Sequence, residues 1–268
     1  MLESRRTMTS AADTTPRPAG ATRISPTALV LLAAWLASGA ALWAVDAFRG
    51  PLTFAFVLIG WLLSVMAHEF GHAFTAYRGG DHTVVEKGYL TFDPLRYLDS
   101  VTSVLIPLIV LALGGIGLPG GAVYLRTDLI RSRLWRSAAS LAGPAATLVV
   151  LLALTAGGGL LDRLAPERQG LAAAVAFLAF VQATALVINL LPIPGFDGYG
   201  ALRPFLPPAL AAALGRAEPV IFLGFIVLLF VSSDVAGALF GVAADLAGGV
   251  GVPRDEVVAG YRAFQFWK

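Results

Sequence analysis

The sequence predicts an all-α protein that crosses a membrane several times, and three observations lead to this. Hydrophobic residues make up 57% of the 268 residues and charged residues only 13%, whereas about a quarter of a typical soluble chain is charged. The apolar residues form blocks of roughly 20, the length an α-helix needs to cross the bilayer. Glycine, proline or charged residues bound each block, as expected of loops. The net charge of +2 gives no argument for a nucleic-acid partner.

Seven apolar blocks follow one another, and about six are predicted to be transmembrane helices. The block at 101–118 holds Pro107 and runs into the glycine-rich stretch LGGIGLPGG, which does not favour a straight helix. A re-entrant segment is therefore predicted there, with a full crossing as the alternative. The blocks lie at about 27–46, 52–77, 101–118, 137–160, 171–193, 219–233 and 235–250.

Arginine and lysine predict which side of the membrane each loop faces. The basic segments are the N-terminal tail, the loop at 78–100 and the loop at 126–136. If all three face the cytoplasm and 101–118 is re-entrant, both chain ends also lie in the cytoplasm. The sequence therefore predicts a multi-pass protein of the cell membrane.

Three regions are predicted along the chain. Residues 1–24 are polar and are predicted to form a disordered cytoplasmic tail. A signal peptide is the competing interpretation, because basic residues precede an apolar run. That run, from Ala28 to Val45, is long and shows no clear cleavage site. Residues 25–250 are the predicted membrane-embedded domain, and 251–268, ending in YRAFQFWK, are a predicted cytoplasmic or interfacial tail.

A segment with strand character follows the second apolar block. Residues 83–92, TVVEKGYLTF, mix β-branched residues, turn formers and charges. They are predicted to form a short membrane-associated β-hairpin that turns at Lys87–Gly88. The stretch GGAVYLRT at 120–127 is a second candidate for extended structure nearby.

The stretch WLLSVMAHEFGHAFTAYR at 61–78 carries two of the three histidines of the chain. Residues four apart lie on one face of a helix, so His68 and His72 can reach the same metal ion. Glu69 lies beside that face, which is the H-E-x-x-H arrangement of zinc hydrolases, with the glutamate as general base. Polar side chains in an apolar helix are costly and mark function. A metal-free polar network that packs helices together is the alternative.

A catalytic zinc site needs a third protein ligand, and the chain has no cysteine to provide it. His82, ten residues beyond His72, is one candidate. Asp197 in VINLLPIPGFDGYG, at 187–200, is the favoured one. The prolines there end a helix, and the following glycine permits a close backbone approach that turns the carboxylate back towards the membrane. Asn189 carries an amide that can donate to an oxyanion, or alternatively form a hydrogen bond between helices.

At these residues the sequence resembles the site-2 protease family of intramembrane zinc metalloproteases, in the compact type without a PDZ or CBS domain. NLLPIPGFDG at 189–198 is similar to the family motif N-x-x-P-x-x-x-x-D-G, LAGPAAT at 141–147 to its A-G-P segment, and GYLTFDPLRYLD at 88–99 to G-x-L-T-x-x-P-x-x-x-x-D. The chain departs from the family at three places. These are Thr147, where asparagine is common, the stretch GGAVYLR, and Gly195–Phe196.

The resemblance implies one Zn²⁺ per chain, held by His68, His72 and Asp197, with Glu69 as the general base. It also implies a membrane-anchored protein substrate, cleaved in or near its transmembrane segment from the cytoplasmic side in regulated intramembrane proteolysis. In the family, segments corresponding to 83–92 and 120–126 pair with extended substrate by strand addition.

Two other classes remain open on the residues alone. A metal- or ion-binding transporter also places His, Glu, Asp and Asn in its helices, although no internal repeat is evident here. A membrane-embedded zinc hydrolase of a non-peptide substrate would share the metal but has no use for segments that pair with a peptide. The sequence gives no indication of the oligomeric state.

Overall fold

The computed structural model describes residues 24–45, 47–96 and 123–268, and all regular structure in these ranges is helical. Short 3₁₀ turns occur at Pro94–Arg96 and Arg203–Phe205. The α-helices are α1 (Pro26–Ala44), α2 (Arg49–Gly79), α3 (Thr83–Glu86), α4 (Arg133–Leu164), α5 (Gln169–Asn189), α6 (Asp197–Leu202), α7 (Pro208–Val231), α8 (Ser233–Gly249) and α9 (Arg254–Phe264).

Five of the described helices, α1, α2, α4, α5 and α7, are long and apolar enough to cross a membrane. These five helices agree with the predicted all-α membrane protein, but their number is lower than the predicted count of about six spans. The sixth predicted span corresponds to α8, which has 17 residues and is shorter than the ~20 residues of a typical crossing. The block at 101–118, predicted to be re-entrant, lies outside the described residues.

The predicted β-hairpin at 83–92 is wrong. Its first half is the single helical turn α3, and Gly88 has a φ of 73°. The turn at Lys87–Gly88 is therefore present, but no strand flanks it within 83–92. The physical reason lies just upstream, where the carboxylate of Asp81 accepts hydrogen bonds from the Thr83 amide and hydroxyl groups. This local side-chain turn outweighs the strand preference of the β-branched residues.

Serine side chains define where several helices begin. Ser25 accepts a hydrogen bond from the amide of Ala28 at the start of α1, and Ser132 accepts one from the amide of Trp135 at the start of α4. Such caps pair amide groups that the first turn of a helix leaves without an internal partner. At the other end, Gly80 stops α2 with a φ of 118°, which only glycine adopts without strain.

Helix α5 lies at the centre of the bundle, packed against α2, α4, α8 and α9. Most of its residues are buried, whereas none of those of α7 is. Alanines such as Ala174 and Ala183 have no exposed surface, so neighbouring backbones approach closely, as is typical of helix packing in membranes.

The start of α1 and helix α9 pack at opposite ends of α2. Ala28 clusters with Met66 and Ala73 in the C-terminal half of α2, whereas Phe264 of α9 stacks against Phe54 near its start. At 1.5 Å per residue, 18 helical residues separate Phe54 and His72 by about 27 Å, close to the thickness of the hydrocarbon core. The start of α1 and helix α9 thus lie at opposite ends of α2, whereas the sequence predicted both chain ends on one side.

Candidate active site

Two histidines of α2 form the first part of the site. His68 and His72 are one helical turn apart, and both are buried. Their Nε2 atoms are 3.0 Å apart, and the ring planes are inclined at 80°. The two imidazoles therefore direct one nitrogen each towards the same point, as the helical spacing predicted.

Asp197, the first residue of α6, faces these nitrogens. Its Oδ2 lies 3.1 Å from His68 Nε2, and its Oδ1 lies 3.2 Å from His72 Nε2. After α5 ends, the chain returns through Gly195, which has a φ of 102°. A Cβ on Gly198 would lie 2.2 Å from the Leu190 carbonyl oxygen, so this tight return needs glycine directly after the aspartate.

Hydrogen bonds on the far side of each imidazole hold its ring in place. His72 Nδ1 lies 2.7 Å from the carbonyl oxygen of Ala139. A carbonyl only accepts, so Nδ1 carries the proton and neutral His72 presents a lone pair at Nε2. His68 Nδ1 lies 2.9 Å from the hydroxyl of Thr147. These are the outer contacts that orient histidine ligands in metal sites.

The three donor groups fit a zinc ion. One nitrogen from each histidine and one oxygen of Asp197 lie within 4.8 Å of one another. The two Nε2 atoms are 3.0 Å apart, and each lies 3.1 or 3.2 Å from its nearer carboxylate oxygen, Oδ2 for His68 and Oδ1 for His72. Zinc bonds of 2.0–2.1 Å to such donors place them about 3.3 Å apart in a tetrahedral site, so the three groups are close enough to share one ion. Asp197 Oδ2 is buried, and apart from the His68 imidazole at 3.1 Å it has no polar partner among the described residues. Lone pairs and a carboxylate that converge in this way repel one another unless a cation lies between them.

Gly143 of α4 covers the nitrogen donors. A Cβ at this position would lie 2.3 Å from His72 Nε2 and 2.6 Å from His68 Nε2. The glycine of the AGP segment therefore provides the space next to the ligand atoms, a role that only the packing of α4 against α2 reveals.

Glu69 lies beside the three donors and is not one of them. Its carboxylate is buried, and Oε2 accepts a hydrogen bond of 3.1 Å from the amide of Val123. Val123 is the first described residue after 96, and residues 123–126 have no regular secondary structure. The rest of the predicted substrate-pairing stretch, 120–122, lies outside the described residues.

Asp81 and Lys87 fix the segment 123–126 in place. Lys87 Nζ donates to the carbonyl of Tyr124 at 2.7 Å, and the amide of Arg126 donates to Asp81 Oδ2 at 2.8 Å. Asp81 has no exposed surface, and it also accepts the two hydrogen bonds from Thr83 described above. Asp81 is not among the functional residues that the sequence predicts. A charged side chain directly after the α2 C-cap glycine was its only signal.

The two remaining candidates differ in their position. Asn189, the last residue of α5, is buried and lines a small cavity together with His68 and Glu69. His82 is exposed, packs its ring against Tyr77 and lies outside the donor group. Of the two third-ligand candidates, the structure therefore brings Asp197 to the histidines and leaves His82 away from them.

Comparison with known proteins identifies relatives over almost the whole chain. The chain is 45% identical over 249 residues to a Mycobacterium tuberculosis protein (strain H37Rv) named "Putative zinc metalloprotease Rip2". The alignment covers 91% of this chain and 95% of the relative. The Mycolicibacterium smegmatis protein of that name is 50% identical over 215 residues, 77% of this chain and 80% of its own. The chain belongs to the site-2 protease family.

A more distant relative supports the same assignment. The Bacillus subtilis protein named "Putative zinc metalloprotease YwhC" is 30% identical over 179 residues, or 65% of this chain and 79% of the relative. No protein-family model matches the chain, and no solved structure matches it significantly. The resemblance seen in the motifs thus extends over most of the chain, and site-2 proteases are zinc metalloproteases.

Proposed function

We propose that this protein is an intramembrane zinc metalloprotease that hydrolyses a peptide bond in or near a transmembrane segment of a membrane-anchored protein. The observation that carries the proposal is the convergence of His68, His72 and Asp197 beside Glu69, within apolar helices. Polar groups at this depth are expensive, and here they meet at one point rather than pairing separately along the helices.

The metal ligands in this proposal are His68 Nε2, His72 Nε2 and the carboxylate of Asp197. When bound, zinc supplies Lewis acidity and a water molecule that is activated near neutral pH. Ala139 and Thr147 keep the imidazoles turned towards the ion through their hydrogen bonds to the Nδ1 atoms. Asp197 adds the negative charge that compensates part of the dication.

Glu69 acts as the general base and then as the general acid. Its carboxylate takes a proton from the attacking water and delivers it to the leaving amine, so the peptide bond is replaced by a carboxyl group and an amine. The amide of Asn189 donates a hydrogen bond to the oxyanion that develops on the scissile carbonyl. Its burial beside His68 and Glu69 supports this role.

The substrate is an unwound stretch of a transmembrane helix. The segment 123–126 runs past Glu69 without regular structure of its own, so it is suited to pair with an extended peptide by strand addition. The other predicted pairing segment, 83–92, is helical or turned. It therefore contributes through Lys87, which holds Tyr124, rather than as a strand.

The active site faces the cytoplasm in this proposal. Arg131, next to the start of α4, donates from its amide to the carbonyl of Gly79 at the C-terminal end of α2. The basic loop at 126–136 therefore lies at the end of the bundle that carries the site, and basic loops favour the cytoplasmic side. Residues 1–24 then form a cytoplasmic tail, and α9 lies at the outer face of a membrane domain spanning 25–250.

Zinc analysis tests the metal site directly. Mass spectrometry of detergent-purified protein should find about one zinc per chain in the wild type, as expected for a single catalytic site. Asp197→Ala should lose the metal and His82→Ala should keep it, because only Asp197 lies at the histidine nitrogens. Folded wild-type protein that takes up no zinc when supplied with it would refute the proposal.

Substrate trapping tests the reaction. Glu69→Gln should retain zinc, because Glu69 is outside the donor group, but should cleave a single-span substrate at less than about a hundredth of the wild-type rate. The trapped substrate should copurify with this variant. A Glu69→Gln protein that cleaves at the wild-type rate would exclude Glu69 as the general base.

A further inference from the structure

Gln182 is a buried polar residue that the proposed reaction does not use. It lies in the middle of α5 and is 2% exposed, and its amide nitrogen has no hydrogen-bond partner among the described residues. A buried amide that forms no hydrogen bond destabilises a protein, and one in an apolar helix marks a functional site. The Gln182 amide therefore requires a group that can accept a hydrogen bond from it.

Gln182 lines a small cavity next to the candidate active site. The cavity has a volume of about 20 Å³, enough for one water molecule. Six of its lining residues are polar and three are apolar. The polar ones are Ser64, His68, Glu69, Thr147, Gln182 and Asn189, and the apolar ones are Trp61, Val65 and Ala185.

The hydrogen bonds already present leave suitable partners for such a water. Ser64 donates its hydroxyl hydrogen to the carbonyl of Gly60 at 2.7 Å, so its oxygen remains free to accept. Glu69 accepts one hydrogen bond, from Val123, and a carboxylate accepts about four. A water in the cavity can accept from the Gln182 amide and donate to Ser64 and Glu69, within the two to four bonds of a typical buried water.

We propose that Gln182 binds a single water molecule in this cavity, and that this water holds the Glu69 carboxylate in its working position. The amide of Val123 then holds the Glu69 carboxylate from one side, and the bound water holds it from the other. Proton transfer needs a donor–acceptor distance of about 2.6–3.2 Å, so a carboxylate held from two sides transfers protons faster. This role rests on the proposed protease function, and Gln182 is a positioning residue in it.

The key variant is Gln182→Met, which keeps the length of the side chain and removes the amide. We expect kcat on a single-span substrate to fall about tenfold, as for the loss of one hydrogen bond of about 1.4 kcal/mol. KM and zinc content should be unchanged, because the Gln182 amide nitrogen bonds none of the metal ligands among the described residues, and neither Asp197 nor the segment 123–126 lines the cavity. Gln182→Asn, which retains an amide, should recover part of the rate.

A matched control is available at the other end of the bundle. Gln265 also has a buried amide nitrogen without a partner among the described residues, and it follows α9, far from the site. Gln265→Met should leave kcat unchanged. A Gln182→Met protein with kcat within twofold of wild type, or an equal loss in Gln265→Met, would overturn the proposal.

A structure at a resolution that shows ordered water provides a readout independent of activity. Density for one water should lie within hydrogen-bond distance of Gln182 in the wild type and be absent in Gln182→Met. A dry cavity in the wild type would overturn the proposal even if the protein is an active protease. Conversely, a wild type that shows the water but binds no zinc and cleaves nothing would refute the proposed function alone.

Discussion

The two ends of α2 and α5 are packed with different kinds of side chain. At the site end, histidine, glutamate, aspartate, threonine and asparagine side chains are buried together. At the opposite end, Phe264 packs against Phe54, Phe177 and Trp267, with ring centroids 5.0 to 6.0 Å apart. The same two helices thus carry the polar cluster at one end and an aromatic cluster at the other.

The difference shows how a membrane protein can keep costly polar groups in place. Buried polar groups need partners, and at the site end they find them on α4, as with Thr147 and the carbonyl of Ala139. Aromatic packing at the far end supplies dispersion and shape complementarity without polar groups. We therefore expect changes at the site end to affect metal binding and changes at the far end to affect stability.

The largest effect is expected from Gly143→Ala. The new methyl group would overlap both histidine nitrogens, so zinc binding and proteolysis should be lost although the metal ligands are intact. Gly157→Ala is the control on the same helix, because nothing lies within 4 Å of the added Cβ. Zinc content and cleavage rate should be normal in this control. A Gly143→Ala protein with normal zinc content would contradict the packing of α4 over the site.

Phe264→Ala should have the second largest effect, on stability alone. The side chain is 1% exposed, and truncating a buried phenylalanine costs about 3–5 kcal/mol. Thermal unfolding in detergent should show a large drop in Tm, while zinc affinity and the kcat of the folded fraction stay constant. Phe266→Ala, at a residue that is 51% exposed, should cost much less. A loss of zinc affinity in Phe264→Ala would show that the aromatic end also affects metal binding.

Local sequence patterns predicted much of the site but little of its surroundings. The common direction of His68 and His72 follows from helical spacing alone. Asp197 is favoured only when its proline and glycine neighbours are combined with the need of a two-histidine site for a third ligand. The contacts of Gly143 and Thr147 depend instead on how α4 packs against α2, which no local pattern encodes. At residues 83–92 a local pattern led to a wrong prediction. The strand propensity of these residues is overridden by the upstream carboxylate of Asp81, which accepts a hydrogen bond from the amide of Thr83.

Thr147→Val tests the partner of His68 and should have a moderate effect. Valine has nearly the same shape as threonine but cannot hydrogen-bond to Nδ1, and losing such an outer contact weakens metal affinity about 10- to 100-fold. Competition with a chelator should measure the change. Thr155→Val, also on α4, is the control, because that hydroxyl donates to Leu151 within its own helix. Equal zinc affinities in the two variants would show that Thr147 does not orient His68.

The smallest effect is expected at Glu256, near the start of α9. Partial burial and the negative charges of Asp162 and Asp255, together with a hydrogen bond to Asp162, raise the pKa of Glu256 from 4.5 to about 7. The folded protein therefore binds more protons than the unfolded chain between these values, so this group lowers stability as pH rises from about 4.5 to 7. Solvent screening should keep the contribution below about 1 kcal/mol.

Glu256→Gln should accordingly raise Tm at pH 8 and change it little at pH 4.5, because only the charged carboxylate is unfavourable. In an Asp162→Asn background the gain at pH 8 should shrink, since the neighbouring charge is then absent. Zinc affinity should be the same in all of these variants at a given pH, because α9 packs through Phe264 against Phe54 and Phe177, at the end of the bundle away from the site. If the gain at pH 8 were the same with and without Asp162, the neighbouring carboxylate would not be its cause. A matching shift in zinc affinity would instead show that the two ends of the bundle are coupled.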